Sequence, residues 1–100
     1  MTKIEMFQAL HPDPAKQGAR VTKSTYEVYK EALLKAMPPS GEEIEFAQLN
    51  EATKPHVPED ILSNTSLGWW VTTVKLDLEA RGIIERAPGR GRQRVQLILS

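Results

Sequence analysis

From Leu67 to Arg81 the apolar residues recur with a helical period. Leu67, Trp70, Val71, Val74 and Leu78 fall within roughly a 100° arc of a helix, and Trp69, Thr73, Leu76 and Ala80 form an adjoining strip. Two such strips predict a helix packed on two sides, with a narrow solvent face of Gly68, Thr72, Lys75 and Glu79. Ser66 stands where a capping hydroxyl is favoured, and Gly82 stands where a helix commonly stops. Beyond Gly82 the pattern alternates. Ile83-Ile84-Glu85-Arg86 reads as a strand, and Val95, Leu97 and Leu99 alternate with Gln96 and Ile98 as its return. Pro88-Gly89-Arg90-Gly91-Arg92 is the turn between them, so a β-hairpin follows the helix directly.

Upstream, Ser24 and Glu27 have the spacing of a capping box. Tyr26, Tyr29, Leu33, Ala36 and Met37 then keep helical spacing until Pro38-Pro39 ends the run. Glu42-Glu43-Ile44-Glu45 has room only for a minimal strand. A second helix is predicted over Phe46 to Thr53, with Phe46, Leu49 and Ala52 inward and Pro55 as its breaker. Pro58 to Leu62 suits one short helical turn, since proline and acids are favoured at the front of a helix. Residues 1–21 contain Pro12, Pro14 and Gly18 and read as an extended arm, from which Ile4, Met6 and Leu10 can cover part of the core. The expected fold is α+β and mainly α. It is a winged helix-turn-helix over residues 22–100, with three helices, a short additional turn and a C-terminal β-hairpin wing.

The run Gly68-Trp69-Trp70-Val71 through Leu76-Asp77-Leu78-Glu79-Ala80 to Gly82-Ile83-Ile84 resembles a small, uncharacterised bacterial winged-helix family with the pattern GWW, then V-x-LDLEA-x-G-x-I. Lys54-Pro55-His56-Val57-Pro58-Glu59-Asp60 resembles that family's KPHLPED-like linker. The resemblance extends from about Arg20 to Arg86, and it implies the winged-helix fold without supplying any catalytic residue. The stretch from Leu76 to Gly89 is similar to the third helix and wing of many bacterial transcription regulators. Glu45 departs from the threonine or serine that commonly caps the second helix.

Composition narrows the function classes. With 100 residues, 40% of them hydrophobic and 26% charged, the chain can build one core. The absence of cysteine removes disulfides and thiolate chemistry. No segment has the apolar length of a signal peptide or a membrane span, so a soluble cytoplasmic protein is expected. The net charge of zero is unevenly spread. From Arg81 onward, five arginines face the single acid Glu85 (+4), while residues 1–80 carry eight cations against twelve acids (−4). A basic tip on an acidic body is a local signal for a polyanion.

The chemistry-bearing residues do not form a catalytic pattern. The histidines are His11 and His56; the latter has ligand types nearby in Glu59 and Asp60, but that grouping reads better as acids at a helical turn. No serine or threonine has an adjacent base, so no enzyme, cofactor, metal or small-molecule ligand is expected. Nucleic-acid binding is the leading expectation, and protein interaction is its alternative. The first is nucleic acid: Thr72 and Lys75 on the third helix and Arg86, Arg90, Arg92 and Arg94 on the wing would contact DNA. Against it stand Glu79 and Asp77 on the helix and acids at Glu42, Glu43 and Glu45. The second is a protein-interaction or homodimer module. Trp69 would be its anchor unless it packs internally, and Ile4 and Met6 would be further contacts.

Overall fold

The computed structural model describes residues 4–89 and 91–98. Among them the chain forms α1 (Lys23–Ala36), α2 (Phe46–Thr53), α3 (Glu59–Asn64) and α4 (Leu67–Ala80), with a 3-10 turn at Lys54–His56. Strands β1 (Met6–Gln8) and β2 (Arg20–Thr22) pair as an antiparallel hairpin before α1. Strands β3 (Ile44–Glu45), β4 (Ile84–Arg86) and β5 (Arg94–Leu97) form a second antiparallel sheet in the order β3-β5-β4. The architecture is therefore α+β, with four helices and two small antiparallel sheets among the described residues.

The apolar periods explain the core. Tyr29 and Leu33 of α1, Leu49 of α2, Val71, Val74 and Leu78 of α4, and Ile84 and Val95 of the sheet are all fully buried in one cluster. The Trp70 indole lies parallel to the Tyr29 ring at 5.3 Å and carries the first apolar strip of α4 onto α1. The Ser66 hydroxyl accepts from the Trp69 N–H at the start of α4. At its end Gly82 adopts φ 76°, the Ile83 N–H donates to the Leu78 carbonyl and the Gly82 N–H to that of Glu79. That doubly bonded glycine stop turns the chain straight into β4.

Four expectations are corrected. Ser24 and Glu27 do not box the start of α1, whose cap is Thr22, two residues before Ser24, with no side-chain cap bond. Strand β2 runs directly into the helix, and the Lys23 N–H donates instead to the Glu5 carbonyl. The leader folds back as the β1–β2 hairpin rather than lying as an extended arm. Ile4 and Met6 do not cover the core: Ile4 is 70% exposed, and the inward positions of the hairpin belong to Phe7 and Val21. Lys75 and Glu79 do not face solvent, because α2 lies over that side of α4.

Candidate functional site

Two surfaces hold the candidate residues. On the sheet, Arg86 is an exposed end residue of β4, while Arg92 and Arg94 enter and begin β5. Arg90 lies outside the described residues. The pairing of β3 with β5 sets Glu45 opposite Arg94. It thereby brings acids into the basic tip: Arg94 is 3.1 Å from Glu43 and Arg92 is 3.6 Å from Glu45. These are solvent-facing pairs, with the Arg92 side chain 82% exposed, so each contributes little stability. Their effect is electrostatic. Two acids sit within ion-pair distance of the arginines expected to meet phosphate.

On α4, Lys75 is only 3% exposed. Its ammonium lies 3.0 Å from Glu79 Oε1 and 5.2 Å from the centre of the Phe46 ring, which α2 lays over it. The Glu79 oxygen meets the ammonium as an ion contact without hydrogen-bond alignment. Lys75 thus belongs to the α2–α4 packing and is not available to a duplex. The surface of α4 left open is Gly68, Trp69 and Thr72, with Leu76 half-buried beside them. Trp69 is 49% exposed, and its indole stands edge-on to Trp70 at 5.2 Å and 82°. Since Trp70 is itself stacked on Tyr29, the exposed indole is held against a fixed support.

A groove of about 570 Å³ opens between this face and the N-terminal hairpin. Leu10, His11, Gln17, Gly18 and Ala19 form one wall; Gly68, Trp69, Thr72, Thr73 and Leu76 form the other. Among the described residues no Asp, Glu, Lys or Arg lines it.

The hairpin wall is held by one carboxylate. Asp77 is fully buried and accepts from the Leu10 N–H (2.7 Å), from the Tyr26 hydroxyl, and from Arg81 Nε at 3.0 and 2.9 Å. Arg81 also lies over the Phe7 ring at 5.1 Å, and Phe7 stacks on Tyr26 at 4.2 Å. Burial first, and then the neighbouring Asp77 carboxylate, push the Tyr26 hydroxyl well above the ordinary tyrosine value. Its hydrogen bond to Asp77 likewise raises the Arg81 guanidinium above its usual value.

Of the sequence-derived candidates, the fold brings Arg92 and Arg94 together with Glu43 and Glu45, and sets Thr72 beside Trp69 in the groove. The hairpin wall and the Asp77 hub were not foreseen. Asp77 did leave a trace: it falls beside Trp70 on the helical wheel, an acid at the margin of the apolar arc.

Among the described residues no group of three or more His, Asp or Glu side chains could hold a metal ion, and no helix is long and apolar enough to cross a membrane. No curated protein and no solved structure matches the chain. One family model does match, over residues 6–95, which is nearly the whole sequence. The chain belongs to the family of unknown function DUF6958.

Proposed function

We propose that this chain is a non-catalytic winged-helix module that binds another protein through α4 and the N-terminal hairpin. The order of helices, minimal strand and terminal hairpin, with β3 beside β5, supports the winged-helix reading. One observation carries the interaction reading. Of the five exposed large hydrophobic side chains among the described residues, Leu10 and Trp69 line one groove between the hairpin and α4, while Ile4 and Met6 lie before and at the start of β1 and Ile98 follows β5. An exposed apolar side chain facing an aromatic anchor across one groove, as Leu10 faces Trp69, is a usual composition of a protein contact.

The charge pattern favours this reading over nucleic acid. The helix that would enter a major groove offers no accessible cation among its described residues, because Lys75 is buried against Glu79 and Phe46. A duplex would displace the Glu43 and Glu45 carboxylates from Arg94 and Arg92 or be repelled by them. A titration of a fluorescent mixed-sequence duplex at low salt separates the two classes. The expected result is no saturation up to tens of micromolar protein, a range in which even non-specific binders saturate at low salt. Saturable binding that disappears when Arg86, Arg92 and Arg94 are changed to Ala overturns the interaction reading in favour of a phosphate-binding wing.

A further inference from the structure

We infer that the partner of the α4 face is a second copy of this chain, joined by reciprocal insertion of Trp69 into the partner's groove over Gly68. The inference deepens the interaction reading and rests on it.

Gly68 provides the first observation. It lies in the first turn of α4, where glycine is a poor helix former relative to alanine. A Cβ built on it would meet no heavy atom of the described residues within 4 Å, so nothing in their packing requires the missing side chain. The absence matters only to something that approaches the helix from outside, because a bare backbone permits close contact.

The second observation is the adjoining residue. Trp69 is half-exposed and stands edge-on against Trp70, which is stacked on Tyr29. A half-exposed indole backed by a second indole therefore borders the open groove that it helps to line. A knob and a hole on the same patch are what a two-fold interface needs, since each copy must present both halves of the contact.

The third observation is charge. Across a two-fold axis a residue near the axis meets its own copy, so formal charge there is repulsive. Among the described residues the groove lining contains none of Asp, Glu, Lys or Arg. Its polar groups are the hydroxyl, amide and imidazole side chains of Thr72, Thr73, Gln17 and His11, set in an apolar surface that includes Leu10 and Leu76. That lining suits a tryptophan, which brings a large apolar ring and one N–H donor.

Sedimentation velocity over about micromolar to millimolar protein tests the proposal, because that range spans weak to moderate dimers. The wild-type chain is expected to move from monomer to dimer mass within it. Trp69→Ala removes the knob and Gly68→Leu fills the hole, and each is expected to weaken self-association by about tenfold or more. Circular dichroism and thermal melts check that both variants fold; the open space at Gly68 predicts that the leucine is accommodated.

The decisive arm mixes the two variants. Trp69→Ala leaves Gly68 bare and the rest of the groove wall in place, and Gly68→Leu keeps an intact knob, so the mixture restores one of the two contacts. Its dimer fraction is expected to exceed that of either variant alone. A wild-type chain that stays monomeric across the range overturns self-association while leaving the module open to a different protein. Dimerisation unaffected by either substitution, or a mixture no better than its components, overturns the knob-and-hole interface.

Discussion

Asp77→Ala lowers the free energy of unfolding by about 3–5 kcal/mol, the range seen when one partner of a buried charged network is removed. The carboxylate is fully buried and ties three elements at once: the hairpin through the Leu10 N–H, α1 through the Tyr26 hydroxyl, and its own helix through Arg81. Alanine leaves a buried hydroxyl and a backbone N–H without an acceptor, and it removes the group that holds Arg81 over Phe7. A melting temperature lower by on the order of 15 °C is expected for a domain of this size. Amide exchange at Ala9 and Leu10 rises first, because those residues lose their anchor to α4. Asp77→Asn keeps an acceptor for Leu10 but not the ion pair with Arg81, and its loss is smaller. A melting point within a few degrees of wild type for Asp77→Ala contradicts the hub.

The same cluster predicts alkaline sensitivity. The Tyr26 hydroxyl is raised above the ordinary 10.0, so the folded state prefers the neutral phenol. Its contribution is fully present below about pH 10 and is lost as the pH climbs from there through the raised value. Melts at increasing pH show a decline for the wild-type chain, and Tyr26→Phe removes this residue's share of it. Equal slopes for the two proteins contradict the assignment.

The second large effect is expected at Gly18. An added Cβ would sit 2.1 Å from the Ala9 carbonyl oxygen, 2.6 Å from its carbon and 2.9 Å from the Leu10 carbonyl carbon. All three are backbone atoms, so no side chain can swing aside to make room. Gly18→Ala must part the hairpin near the Ala9–Ala19 hydrogen bond. In doing so it disturbs the Gln8 amide bond to the Gly18 carbonyl and shifts Leu10 away from Asp77. Destabilisation of about 3 kcal/mol is expected from such overpacking. Denaturant titration measures it, and a loss below about 1 kcal/mol would show that the hairpin has slack at this point. Because Gly18 lines the groove, the same substitution is expected to weaken the α4 contact face.

Much of the local structure was legible in the chain. The apolar arc of Trp70, Val71, Val74 and Leu78 specifies α4 and its buried side, because spacing on a helix fixes which residues share a face. Ser66 and Gly82 mark its ends through backbone bonding that needs no distant partner. The change to an alternating pattern after Gly82 specifies the hairpin for the same local reason.

Tertiary structure decided everything that depended on which neighbour covers a given side. Helical spacing places Lys75 on the solvent face of α4, and only the position of α2 with Phe46 turns that part of the face into an interior. Glu43 and Glu45 are distant in sequence from the wing arginines, and only the pairing of β3 with β5 sets them side by side. Asp77 reads as one more acid on a helix until the hairpin and α1 close over it. The chain determined its elements and most of its core, since those follow from periodicity and capping. Which polar groups ended inside, which charges were neutralised and which hydrophobic face stayed open were decided by packing between segments far apart in the chain, where the local pattern carries no information.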